Sequence, residues 1–189
     1  MEHILHESAS IASTAIIGVR SRPLLTGHPI DDCGKVSIGP DVFVGEYALI
    51  GCGVSLGEGC IVDHGCIVET DATVGAGSLL CYRAQVGGES RVGANCVVGG
   101  FVGERSVIED GARVFGSLVH RHPRSRWKNW DALDAMVDGP TIGRQAFIAF
   151  GAVIVGAIQI GENAYIGANA VVCKSIRAKG FVRPGSFIQ

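Results

Sequence analysis

Residues 36–60 read "VSIGPDVFVGEYALIGCGVSLGEGC". Cut after every sixth residue, the stretch gives VSIGPD, VFVGEY, ALIGCG and VSLGEG, each with an aliphatic third residue followed by glycine. A helix needs apolar residues near every 3.6 positions, and a half-buried strand needs strict alternation. A sustained period of six fits neither. It fits short strands separated by tight turns, with the aliphatic pointing inward and glycine tolerating the turn backbone.

The pattern extends well beyond this stretch. Stepping by six from Ile38 lands on Val44, Ile50, Leu56, Val62, Val68, Val74, Leu80, Val86, Val92 and Val98. The residue after each is glycine in eight of the eleven, and otherwise Asp63, Glu69 or Cys81. Four positions past the aliphatic stands a small or β-branched residue, such as Ala48, Cys60, Cys66, Ser78 or Ser90. The phase slips after Val98 and resumes at Val102, Ile108 and Val114; a last run covers Ile142, Ile148, Ile154, Ile160, Ile166 and Val172. Stacked coils of this kind bury one aliphatic column and pair each strand with its equivalent in the next coil, so stability sums over neighbouring interfaces. The expected fold is all-β: a parallel β-helix, with residues 1–189 as a single domain.

Composition sets the outer bounds. A chain of 189 residues and 19.7 kDa is long enough for one domain with a substantial core. Its net charge of -2 offers no overall basic field for nucleic acid. The 28 glycines follow no triplet period, which excludes collagen. No apolar run approaches the length of a membrane helix, and "MEHILHESAS" at the start does not read as a signal peptide. A cytoplasmic protein is therefore expected. The seven cysteines form no CxxC pair and read as small buried hydrophobes in a reducing compartment.

One segment breaks the period inside the regular region. Residues 119–143, "VHRHPRSRWKNWDALDAMVDGPTIG", hold both tryptophans and two of the six histidines. Long loops in compact domains are disproportionately functional, and a solenoid face has no pocket of its own. The 120–140 excursion is expected to contain one short helix, with Ser125 as a candidate N-cap. Trp127, Trp130, Leu133 and Val137 would line one side before Gly139–Pro140 ends it. The tryptophans either pin the loop to the prism or a neighbouring subunit, or Trp127 stacks on a substrate. A second irregular stretch, 20–37 with His28, either borders the acceptor pocket or is simply a loop.

The six-residue units resemble the hexapeptide-repeat family over 38–176, and more loosely over "SIASTAIIGVRS" near the start. The resemblance implies a left-handed, three-sided β-helix of about 18 residues per coil, assembled as a homotrimer with sites between subunits. "HPRSRWKNW" followed by the "PTIG" re-entry and "IGENAYIGANAVVCK" is also similar to the acyl-coenzyme A-dependent hexapeptide acyltransferases, among them sugar-nucleotide N-acetyltransferases and galactoside-type O-acetyltransferases. The activity this implies is transfer of an acetyl group from acetyl-CoA to an amine or hydroxyl of a small polar acceptor, such as a sugar or nucleotide sugar, with no metal.

His122, before Pro123, matches the catalytic histidine of the O-acetyl members. An imidazole with an ordinary pKa near 6.5 suits removal of the acceptor's proton at neutral pH. His120, six past Val114, falls in an aliphatic column and competes for the role. His64 lies on a turn and is either an exposed turn residue or a substrate contact, with Asp63 as a candidate orienting partner. Arg124, with Arg121 and Arg126, suits an anionic acceptor, or forms surface pairs of little value. Ala149, Gly151, Gly167 and Ala168 offer a small-residue groove for pantetheine, and Lys174, Arg177, Lys179 and Arg183 supply cations for the coenzyme phosphates. The turn after Lys174 lacks the proline-rich pattern usual in the family.

Two other readings share the fold. A γ-carbonic-anhydrase-like zinc hydratase needs three converging histidines, and no second histidine follows "VDHGC" at a suitable spacing. A non-enzymatic scaffold or ice-binding prism does not call for a His/Trp/Arg loop.

Overall fold

The computed structural model describes residues 3–19, 34–122 and 138–189. The expected short helix, and with it Ser125, Arg124, Arg126, Trp127, Trp130, Leu133 and Val137, lies outside the described residues, as does His28.

Within them the chain forms 26 short strands and no helix. Nearly all strands are two residues long, because each spans only the flat of one side before the chain turns. In Ser37–Ile38, Phe43–Val44 and Ser55–Leu56 the first residue faces outward and the second is buried. The strands stack into three parallel sheets of eight, nine and nine, taken in rotation along the chain. We call them sheets I, II and III: Ser37–Ile38 lies in I, Phe43–Val44 in II and Leu49–Gly51 in III. The molecule is a left-handed parallel β-helix with three edges, I–II, II–III and III–I.

Register sets the coil length. Ser37 pairs with Ser55, and Thr141 with Gln159, each eighteen residues on. Backbone N–H groups donate to the next coil, as Gly39 does to Leu56 at 2.9 Å and Gly57 to Val74 at 2.8 Å. The aliphatic column from Ile38 to Val172 is the core, every member at most 3% exposed. The small column is also buried, and its hydroxyls are satisfied. Ser78 Oγ donates to the Gly93 carbonyl at 2.8 Å, and Ser90 Oγ to that of Gly103 at 3.0 Å.

Glycine follows the aliphatic where the next coil's backbone leaves no room. A Cβ on Gly87 would meet the Glu104 amide nitrogen at 2.6 Å. Glu69 breaks this rule and is buried, its carboxylate accepting from Gln85 Nε2 at 3.1 Å and the Gly88 amide at 3.2 Å.

The slip read after Val98 is present, and the sequence reading of the phase needs one correction, a second slip. The column steps by four rather than six at Val98 to Val102, and again at Val114 to Leu118, where two-residue corners, Gly99–Gly100 and Phe115–Gly116, replace four-residue ones. Leu118, fully buried, is therefore the inward residue after Val114, and His120 lies past the end of strand Ser117–Val119. Counted from Leu118, the phase carries across the excursion to Ile142 unbroken.

Cysteines divide as well. Cys60, Cys66 and Cys96 are buried free thiols, and burial pushes the Cys66 thiol up to about 11. Cys52 is disulfide-bonded, against the expectation of seven reduced thiols.

Candidate functional site

Both ends of the excursion return to a single corner, Gly103–Ser106 on the III–I edge. The outgoing strand Ser117–Val119 continues its parallel pairing to Val155, and the Gly156 amide donates to the Val119 carbonyl at 2.8 Å. The chain then turns out, and His120 Nε2 lies 2.7 Å from the Glu104 carbonyl oxygen. A carbonyl only accepts, so Nε2 carries the hydrogen and the neutral ring presents Nδ1 as a lone pair. His120 is half-buried, whereas His122 is exposed and meets it edge-on at 6.2 Å between centroids.

Between them Arg121 runs down the same edge. Its Nη2 donates to the Cys173 carbonyl at 3.0 Å, one residue before Lys174. The root of the excursion is thus bonded to the residue before the first cation of the basic tail.

The returning chain is gripped by the same corner. Arg105 Nη2 is 2.8 Å from Asp138 Oδ1, and the Arg105 carbonyl accepts from the Gly139 amide at 3.3 Å. Gly139 is buried, and a Cβ there would meet the Glu104 oxygen at 2.8 Å.

Other candidates stand elsewhere. His64 is on the II–III edge, three coils before His120 and so about 14 Å away along the axis. Its Nδ1 accepts from the Glu46 amide at 2.8 Å, and its ring packs edge-on against Phe43 at 6.0 Å. Asp63, expected to orient this ring, instead accepts the His64 backbone amide at 2.7 Å and lies 3.8 Å from Nε2. Within one chain the fold does not bring His64 to His120 or His122.

Ala149, Gly151, Gly167 and Ala168 also line the II–III edge rather than the histidines' edge. Ala149 is buried, and Gly167 lies under Pro184 of the next coil. Gly151 has φ +71 and lies against Asn169 Oδ1. Coil stacking accounts for these small residues in the isolated chain. Lys174, Arg177, Lys179 and Arg183 are exposed. Arg177 and Lys179 border an open depression of about 650 Å³ over the last coil, together with Ile176, Phe181 and Ile188. Among the described residues no three metal-ligating side chains converge.

Sequence reasoning missed Glu104, Arg105 and Asp138. No local signal marked them: Arg105 holds its corner with φ 57°, but Arg83, Glu89 and Tyr47 hold equivalent corners in the same conformation.

Comparison with known proteins adds the repeat's identity. Residues 139–174 match the bacterial transferase hexapeptide (six repeats), and residues 35–70 match the hexapeptide repeat of succinyl-transferase. Both matched stretches are thus hexapeptide repeats of this kind. Two solved structures share the fold. UDP-N-acetylglucosamine acyltransferase from Bacteroides fragilis is 15% identical with a TM-score of 0.64, over 96% of this chain and 69% of that one. The Arabidopsis UDP-N-acetylglucosamine acyltransferase is 21% identical with a TM-score of 0.55, over 96% of this chain and 66% of that one. This chain thus spans about two thirds of their length. No curated protein matches its sequence.

Proposed function

We propose that the protein is an acyltransferase moving an acyl group, acetyl in the first instance, from acetyl-CoA to the amine or hydroxyl of a small polar acceptor such as a sugar or nucleotide sugar. The observation that carries this is the His120 contact with the Glu104 carbonyl at 2.7 Å. A general base must be held by a third group and must present its free nitrogen to the acceptor. His120 meets the first condition, which favours it over the exposed His122 as the base, with Nδ1 left for the acceptor and His122 beside it as an acceptor contact. In the step, Nδ1 takes the acceptor's proton, the acceptor's N or O bonds to the thioester carbonyl carbon, and the coenzyme thiolate leaves. Lys174, Arg177 and Lys179 are the cations for the coenzyme phosphates; Arg124 and Trp127 are the acceptor contacts, and His64, on the II–III edge, is not one of them. The hexapeptide repeats matched to transferases support the class of reaction.

The outer faces support a homotrimer. Sheet I presents Ser37, Ser55, Thr73, Arg91, Thr141 and Gln159, with Ile4 and Val107 as its apolar members, whereas sheet II presents Phe43, Ile61, Leu79, Val97, Phe147, Tyr165 and Phe181, interrupted by Ser10 and Arg113. Sheet III presents Ile16, Leu49, Ile67, Phe101, Val153, Val171 and Phe187, interrupted by Gln85 and Ser117. Two apolar faces sharing one edge suit a closed ring in which sheet II of one copy covers sheet III of the next. The III–I edge with His120 would then face the neighbour's I–II edge, which carries Arg144, Arg177 and Lys179.

The test is thiol release from acetyl-CoA with amino sugars and nucleotide amino sugars as acceptors. His120→Ala should lower kcat by about 10²–10⁴-fold with little change in the KM for acetyl-CoA, and His122→Ala should cost less. A wild-type rate in His120→Ala sinks the assignment. Absence of thiol release with every acceptor, together with no thermal shift from acetyl-CoA, favours the scaffold reading.

A further inference from the structure

We infer that Arg105 is the positioning residue of this site, fixing the orientation of His120 by clamping the two ends of the excursion to one corner. Two consecutive carbonyls do the holding. That of Glu104 receives His120 Nε2 at 2.7 Å from the outgoing end, and that of Arg105 receives the Gly139 amide at 3.3 Å from the returning end. They point to different partners because the backbone between them passes through the left-handed region at Arg105, φ 57°.

Arg105 is a costlier choice for that conformation than the glycine or asparagine of Gly53, Gly59, Gly77 or Asn95, a cost it shares with Tyr47, Arg83, Glu89, Gln145 and Lys179 at other corners. Its side chain compensates by reaching Asp138 at 2.8 Å, with Glu89 of the preceding corner at 3.9 Å on its other side. Nη1 is buried and has no partner among the described residues, a further local cost. What sets Arg105 apart from the other strained corners is its buried unsatisfied donor and its bond to the returning chain, and a donor buried at a cost is not there for stability. Its bond to Asp138 fixes the returning end, and the corner so held aims the Glu104 oxygen at the imidazole. Arg105 itself is not assigned a contact with substrate.

The kinetic consequence rests on the acyl-transfer reading; the geometric one does not. The decisive variant is Arg105→Gly in the full-length chain, because it separates stability from function. Removing the strain should leave the melting temperature equal to or above that of the parent protein, as should the control Asp41→Gly at another left-handed corner (φ 54°) far from the excursion. At the same time kcat for thiol release should fall about 10²-fold in Arg105→Gly, the scale of a misplaced reacting group. The KM for acetyl-CoA should stay within about twofold, Arg105→Lys should recover part of the rate, and Asp41→Gly should keep all of it.

Long-range proton–nitrogen spectra of the His120 ring give a readout that needs no turnover. The parent protein should show the Nε2–H tautomer, and Arg105→Gly a mixture of both. A parental kcat in Arg105→Gly overturns the inference, and so does a loss of activity that merely follows a lowered melting temperature. If the parent protein itself transfers no acyl group, the reaction assignment fails while the ring spectrum still decides the clamp: an unchanged tautomer in Arg105→Gly rejects it.

Discussion

At the residue scale, Leu118 and His120 illustrate how two side chains two positions apart come to do different work. Both follow Val114 closely enough to be its successor in the inward column. Only Leu118 lies on the flat of a coil, between Val102 and Ile154 in parallel register, and it is fully buried. Leu118→Ala would open a cavity in a column whose neighbours are held by strand pairing and cannot collapse. The expected loss is about 2–5 kcal/mol, read from urea unfolding with an unchanged m-value. His120→Ala, half-buried and beyond the strand, should cost far less stability while removing the proposed base. That contrast separates core from site in two measurements.

At the element scale the unit is the corner rather than the strand. A two-residue strand contributes one inward and one outward side chain, and the turns decide where the next strand begins. Glycine after the inward aliphatic lets the following coil approach; at Gly87 the next coil's backbone, at Glu104, occupies the space a Cβ would need. Gly87→Ala should therefore push the Gly103–Ser106 corner away. The expected destabilisation is about 1–3 kcal/mol by urea unfolding, with a loss of activity larger than stability alone accounts for, because that corner carries the Glu104 carbonyl. Shortened corners matter in the same way. Gly99–Gly100 and Phe115–Gly116 advance the column by four, and the second of them removes His120 from the core.

For the whole molecule, the distribution of outward residues is the informative property. Sheet II carries a stacked aromatic ladder, Phe147 to Tyr165 at 5.3 Å and Tyr165 to Phe181 at 5.5 Å, with Tyr165 40% and Phe181 65% exposed. Contiguous apolar surface of this kind marks an interaction face. Under the trimer proposal, Tyr165→Arg should place a charge against the neighbour's sheet III. Analytical ultracentrifugation should then show the species shift from trimer toward monomer, with acyl transfer falling alongside if the site spans two copies. A trimer that survives Tyr165→Arg would remove sheet II from the interface.

The hexad alone determined that this chain is a parallel β-helix, which residues line its interior and where the coil is interrupted. The reason is that inward burial repeats once per side, so every side leaves the same imprint on the sequence. Glu69 and the glycines after the aliphatics were legible for that reason too. What lay beyond it was anything set by contact between coils. The second short corner at Phe115–Gly116 is followed almost at once by the excursion, so no resumed run of hexads marks it as Val102 and Ile108 mark the first. The division of His64 from His120 depends on which edge each reaches. The grip of Glu104 and Arg105 on His120 and Gly139 joins residues 16 and 34 positions apart. Periodicity is a local property and survives in one dimension; the clamp is a meeting of separate coils and exists only once they are stacked.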